Sequence, residues 1–208
     1  LVVNAANIQK DYEWINKNLK RFACRAENIS GRTAQLALQG PLALEIISRL
    51  SAFDVSSLKY YHFAQEIEAA GQKILLSRTG YTGENGVEIY CRPEQAGIIW
   101  EAVLQAGKEQ GAAPCGLGAR DVLRLEAGMP LYGHELSEEI SPLEADLAFY
   151  VRTDKENFIG KEALTGQKKE LARLLTGVEM LERGIPRQGY PVYSSGKKIG
   201  AVTSGTFS

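Results

Sequence analysis

The chain has 208 residues, with 24 Lys+Arg against 25 Asp+Glu and a formal net charge of −1. Its 44% apolar and 24% charged residues exclude collagen-like, low-complexity and disordered chains. A near-neutral balance also lacks the clustered Lys and Arg of a nucleic-acid-binding domain, so no nucleic-acid partner is expected. The longest uncharged stretch, Thr33 to Leu44, is broken by Gly40-Pro41 and is shorter than the roughly 20 apolar residues of a membrane-spanning helix. No membrane association is expected. Cys24, Cys91 and Cys115 form no CxxC pair and read as small buried hydrophobes. With His62 and His134 also isolated, no metal site is expected.

In chain order, Leu1-Val2-Val3 reads as a strand running into a turn at Asn4. Ile8, Tyr12, Ile15 and Leu19 recur at helical spacing and predict a helix over Ile8–Lys20, with Asn7 as N-cap. Ala34–Leu38 is a short apolar strand. Gln39-Gly40-Pro41 turns the chain, with Pro41 at the start of a helix running to Leu50, and Ile46, Ile47 and Leu50 facing inward. Tyr60–Glu68 and Gln72–Ser77 read as two strands joined at Ala69-Ala70-Gly71. Gly80–Gly86 is a glycine-rich loop before a strand over Val87–Cys91. Pro93-Glu94 opens a helix carrying Ile98, Ile99, Val103 and Leu104.

A helix is predicted over Ala119–Ala127, stopped by Gly128-Met129-Pro130. Ser141-Pro142 begins a short element leading to the apolar run Leu147–Val151. Thr165–Glu170 is polar and reads as a linker. Turn signals at Arg183-Gly184, Gln188-Gly189 and Ser194-Ser195-Gly196 announce short strands and the start of an all-β unit. Residues 199–208 read as a strand. A chain whose two ends both lie within strands is expected to be a piece of a longer one. Mixed helices and hairpins predict an α+β fold rather than regular βαβ units.

Four side chains stand out as binding candidates. Glu88 opens the strand after the glycine loop. A carboxylate held there can accept two parallel N–H bonds from an amino-pyrimidine edge such as a pterin's, or be a solvated hairpin residue. Tyr81 in the loop can stack on a flat ring, and the loop glycines permit positive φ and close approach of a ligand. Arg120 falls in the first turn of its helix, where a cation opposes the dipole, so an anionic partner is one reading. A surface ion pair of Asp121 with Arg124 is the alternative for that segment. Asn4 is a strand-end amide, suited to a ligand or to a turn. Tyr132-Gly133-His134-Glu135 reads as structural. The glycines do not match GxGxxG before a helix, and neither a P-loop nor a Ser-His-Asp or Cys-His set is present.

Taken together, several segments resemble the aminomethyltransferase (T-protein) family of the glycine cleavage system. They are LVVNAAN (1–7), LQGP (38–41), SRTGYTGENGVE (77–88), CGLGARD (115–121) and LRLEAG (123–128), followed by LYGHEL (131–136), ISPLEA (140–145), FIGKEAL (158–164) and GIPRQGY (184–190). They occur in family order along the whole chain. Folate-dependent demethylases and a folate-binding iron–sulfur maintenance protein share the architecture. The cysteine motif of the latter is not found here.

The resemblance implies a tetrahydrofolate-dependent aminomethyltransferase that moves the methylene from the aminomethyl-lipoyl arm of its partner, the H-protein, to tetrahydrofolate with release of ammonia, in the cytoplasm or, in a eukaryote, the mitochondrial matrix. On matching positions, Glu88 would grip the pterin edge with Tyr81 beside the ring. Arg120 would anchor the charged side of the folate, and Asn4 would lie at the same pocket. No catalytic residue is assigned, because the family's aspartate is expected upstream of Leu1, and activity is not expected of this stretch by itself. A demethylase and a non-catalytic folate-binding module are the alternatives. The implied layout is a discontinuous folate-binding domain contributed by 1–31 and 137–168, a ferredoxin-like α+β domain at 32–136, and the start of a C-terminal β-barrel at 169–208.

Overall fold

Alternation along one strand sets the architecture of the first half of the chain. In Gly86–Cys91, Val87, Ile89 and Cys91 are buried, whereas Glu88 and Tyr90 point to the opposite face and are half-buried. A strand with this period must have a core on one side only. The computed structural model describes residues 1–20 and 22–207. Arg21, within the expected segment 1–31, and Ser208, at the end of the expected last strand, lie outside the described residues. The chain divides into two compact units, Leu1–Gly116 and Leu117–Ser208.

The first unit holds four strands, β1 (Ala34–Gln39), β2 (Phe63–Ala69), β3 (Gln72–Ser77) and β4 (Gly86–Cys91). All pair antiparallel in the order β1-β4-β3-β2. The β2–β3 turn lies at Ala70 (φ 52°) and Gly71 (φ 70°). Two consecutive positive φ values give the turn hand that matches strand twist. Helices α2 (Ala43–Ser48) and α3 (Pro93–Ala106) supply the buried Ile46, Ile47 and Ile99. These meet Leu76, Val87 and Ile89 in one apolar cluster. Pro93 is the first residue of α3, where its missing N–H costs nothing, and the Arg92 N–H donates to Gln95 Oε1 at 3.0 Å. Helix α1 (Ile8–Leu19) shows the expected stripe of Ile8, Tyr12, Ile15 and Leu19, all half-buried.

Several expectations need correction here. Among the described residues nothing pairs with Leu1–Val3, which forms no strand, and Leu1 is fully exposed. Asn7 gives no side-chain cap to α1, because a 3-10 turn over Ala5–Asn7 already leads into the helix. Pro41 lies in the turn before α2 rather than at its start. Tyr60 and Tyr61 belong to a turn, and β2 starts at Phe63. Cys91 is buried as expected, but Cys24 and Cys115 are exposed.

The second unit begins with α4 (Leu117–Glu126), two residues earlier than predicted. It stops at Gly128 (φ 66°), and the Met129 N–H returns to the Arg124 carbonyl at 2.8 Å. At Ser141–Glu144 the two residues cap each other. The Ser141 N–H donates to Glu144 Oε2 (2.9 Å), and the Glu144 N–H donates to Ser141 Oγ (3.3 Å). The apolar run Leu147–Val151 contains a 3-10 turn at Ala148–Tyr150. Helix α5 (Lys161–Gln167) takes up Thr165–Gln167 of the expected linker. Strands β5 (Pro191–Ser194) and β6 (Lys197–Ala201) form a hairpin. Its turn is Ser195 (φ 49°) and Gly196 (φ 78°). Strand β6 ends at Ala201, short of the predicted 208, and Val202 then donates its N–H to the Tyr190 carbonyl at 2.8 Å. The fold is α+β, with antiparallel sheets and packed helices. Among the described residues, no helix is long and apolar enough to cross a membrane.

The core face defines a stability test. Ile99→Ala empties a fully buried position and should cost about 2–5 kcal/mol in denaturant unfolding. Ile98→Ala, one residue away but exposed, should stay within about 0.5 kcal/mol of the parent. Equal costs would show that α3 packs with another face.

Candidate functional site

The polar face of the first unit's sheet carries Gln35 and Gln39 from β1, Ser77 from β3, and Glu88 and Tyr90 from β4. The register sets Gln35 opposite Tyr90 and Ser77 opposite Glu88. Three donors converge on the Glu88 carboxylate. Gln35 Nε2 donates to Oε1 at 2.6 Å, while the Thr79 and Tyr90 hydroxyls donate to Oε2, the latter at 3.2 Å. All three are neutral, so the carboxylate is oriented without its charge being cancelled. Its effect on Tyr90 is visible: burial first, then the charge and hydrogen bond of Glu88, push the phenol up to about 12.

Thr79 follows β3 and begins the glycine loop. Its Oγ1 lies 2.9 Å from Ser77 Oγ as well as against Glu88. A hydroxyl has one hydrogen, and an ionised carboxylate only accepts. Thr79 therefore donates to Glu88, and Ser77 donates to Thr79.

The loop glycines act differently from the sequence expectation. Only Gly83 has positive φ (76°) among Gly80, Gly83 and Gly86. Gly80 and Gly86 make room for an internal side chain. A Cβ on Gly80 would lie 1.8 Å from Gln39 Oε1, and one on Gly86 would lie 2.4 Å from Gln39 Cδ. Gln39 Nε2 donates to the Thr79 and Val87 carbonyls (3.2 and 3.1 Å), and its Oε1 accepts from Thr82 Oγ1 (3.2 Å). The close approach is thus to Gln39. Arg78 closes the loop by donating to the Leu58 carbonyl and to Asn85 Oδ1.

Of the other candidates, Tyr81 is half-buried within the same loop. Asn4 is exposed, and its backbone carbonyl accepts from the Asn7 N–H at 2.9 Å, so the turn reading holds for its main chain. Arg120 is the fourth residue of α4, exposed, in the second unit. Gln35, Thr79 and Tyr90 were missed from sequence. The available signal was the polar alternation at Gln35 and Gln39 in an otherwise apolar strand. Glu88 lines neither the concavity between Ile29–Thr33 and Arg92–Glu94 nor the one beside Arg49. It stands on a sheet face rather than in either hollow. Among the described residues, no group of His, Cys, Asp and Glu could hold a metal ion.

The family model described as the GCVT N-terminal domain matches residues 1–155. The chain belongs to this family. It is 55% identical over 208 residues to an aminomethyltransferase of Geobacillus sp. (strain WCH70), covering 99% of this chain and 57% of that one. It is 54% identical over 209 residues to an aminomethyltransferase of Caldanaerobacter subterraneus subsp. tengcongensis, covering 56% of the latter. Among solved structures it is similar to the glycine cleavage system aminomethyltransferase T of Bartonella henselae. That match has a TM-score of 0.84 and 31% identity, and covers 98% of this chain and 55% of that one. The chain therefore spans a little over half the length of these relatives.

In this GCVT-family chain the Asp121–Arg124 pair expected at the surface of α4 does form, but only Asp121 is exposed, and Arg124 lies in the interior. Arg124 is 1% exposed. Its guanidinium reaches Asp121 (2.8 Å), Glu135 (2.9 Å), the Met129 carbonyl (3.3 Å) and Ser204 Oγ (2.7 Å). Glu135 also accepts from the Leu131 N–H at 3.0 Å, and His134 Nδ1 lies 3.0 Å from the Thr203 carbonyl. The structural reading of the 132–135 segment agrees with this. Burial opposes the charge of Glu135. Hydrogen bonds from Ser204, the Leu131 N–H and Thr203, together with the Arg124 charge, outweigh it and hold the carboxyl below its ordinary 4.5.

Two measurements check these electrostatics. Glu88→Gln removes the charge that helps hold Tyr90 protonated, so one of the nine tyrosines should titrate at lower pH in the near ultraviolet. An unchanged titration curve would contradict the contact. For Glu135 the native value is depressed. Its stabilisation should be complete above pH 4.5 and fade as pH falls through the native value. Glu135→Ala should cost about 3–5 kcal/mol at neutral pH by stranding Arg124, and the gap to the parent should narrow in acid.

Proposed function

We propose that the protein containing this chain is a tetrahydrofolate-dependent aminomethyltransferase of the glycine cleavage system. It moves the methylene of an aminomethyl group, carried on the lipoyl arm of an H-protein, to tetrahydrofolate and releases ammonia, in the cytoplasm. The observation that carries this reading is the 55% identity over 208 residues to a relative named as an aminomethyltransferase. The site chemistry supports it. A carboxylate held by three neutral donors, with no cation among them, is oriented to accept from an N–H-rich ligand edge, which is what a pterin offers.

In this proposal Glu88 accepts the pterin edge, Tyr81 lies beside the ring, Arg120 meets the anionic end of the folate, and Asn4 lines the same pocket. The task of these residues is to fix the acceptor nitrogen against the incoming carbon and to keep water out, since such positioning lowers the barrier most. No metal is part of the reading. The layout proposed for the whole protein remains a folate-binding domain built from 1–31 and 137–168, an α+β domain at 32–136 and a barrel that starts at 169.

The test is a tetrahydrofolate titration of Glu88→Ala in the full-length protein. Loss of a charge-assisted acceptor costs about 1.5–3 kcal/mol, or roughly ten- to a hundredfold in affinity. Methylene transfer should also require aminomethyl-loaded H-protein. Transfer from a free methylated amine without H-protein would instead establish a demethylase.

A further inference from the structure

The hydrogen bonds already held by Glu88 constrain how any ligand can reach it. An ionised carboxylate offers about four lone-pair sites on its two oxygens. Three are in use: one on Oε1 by Gln35, and two on Oε2 by Thr79 and Tyr90. A flat edge presenting two parallel N–H groups needs one site on each oxygen. Oε1 has a site to give, but Oε2 does not, so one of its two donors must leave.

The two donors are not equivalent. Thr79 bonds Glu88 and is itself backed by Ser77 at 2.9 Å. Such a chain of hydroxyls is mutually strengthened. Tyr90 sits at 3.2 Å, beyond the usual 2.5–3.0 Å of an O–H···O bond. Its phenol projects from β4 itself, two residues from Glu88, and is half-buried, so it can turn towards water when displaced.

We propose a division of labour around Glu88: the Ser77–Thr79 relay is its permanent support, and the Tyr90 hydroxyl is a placeholder that yields Oε2 to the second N–H of the bound ligand. The proposal rests on the reading of Glu88 as the acceptor of a pterin edge. Thr79 is thereby a positioning residue that acts through Glu88. Tyr90 keeps the empty site satisfied and competes with the ligand.

The experiment is tetrahydrofolate titration of the full-length protein carrying Thr79→Val, Thr79→Ser or Tyr90→Phe, each alone and combined with Glu88→Ala. Thr79→Val should weaken binding about three- to tenfold, the worth of one hydrogen bond, and Thr79→Ser should restore it. Tyr90→Phe should bind about two- to fivefold more tightly, because no internal bond has to be broken first. In the Glu88→Ala background neither change should matter further, as expected of residues that act through one shared group. Unchanged or weaker binding by Tyr90→Phe overturns the placeholder role. A Thr79→Val loss that persists without Glu88 overturns the positioning role. Should Thr79→Val not fold, Thr79→Ala takes its place with the same expected loss, and Tyr90→Phe carries the placeholder test. If Glu88→Ala alone binds like the parent, the acceptor reading itself fails and this proposal with it. If Glu88→Ala weakens binding and Tyr90→Phe also does, only the placeholder role falls.

Discussion

A sheet with two unlike faces is the constraint on which the first unit depends. On one side Val87 and Ile89 lock against α2 and α3 with no exposure at all. That packing fixes the register of β4, because a slip of one residue would carry its apolar set to the wrong side. Once the register is fixed, Glu88 has no freedom to be elsewhere. It must lie opposite Ala37 on β1 and Ser77 on β3, within reach of Gln35 and Thr79. The core thus positions the carboxylate without touching it. Gln39 performs the matching task for the loop, its amide bonding two carbonyls and a hydroxyl that would otherwise have to find other partners.

The second unit is organised around a charge rather than an apolar cluster. Arg124 is the largest fully buried side chain among the described residues, and it bonds Asp121 on its own helix, the Met129 carbonyl just beyond it, Glu135 and Ser204. Such a centre demands geometry, since each unsatisfied donor in the interior carries a penalty of its own. It gives a unit with short helices and one hairpin a defined arrangement that its scattered apolar residues would specify poorly. Glu144 repeats the device on a smaller scale. It caps Ser141 and accepts from Arg173 Nε at 2.8 Å.

What sequence could reveal followed the range of the interaction. Helix α1 and the start of α3 were readable because four-residue spacing and a leading proline are local signals. Glu88 was readable as a strand residue after a glycine loop. Its neighbours were not, because Gln35 is 53 positions away and joins it only through pairing. The same holds for the glycines. Nothing local says that Gly80 and Gly86 yield space to Gln39 rather than to a ligand. Arg124 with Asp121 looked like a surface pair at helical spacing. The partners that bury it, Glu135 and Ser204, lie far along the chain. Thr165–Gln167 read as a linker from polarity, yet α5 forms there after Gly160 turns the backbone at φ 93°.

Ser204 is 80 residues downstream of Arg124. On a ribosome adding about 5–20 residues per second, several seconds separate the emergence of the two. During that interval the guanidinium has its carboxylates and its helix-end carbonyl but lacks its last hydroxyl. The set of groups around Arg124 is therefore complete only once residue 204 has been added, 80 residues after the guanidinium itself.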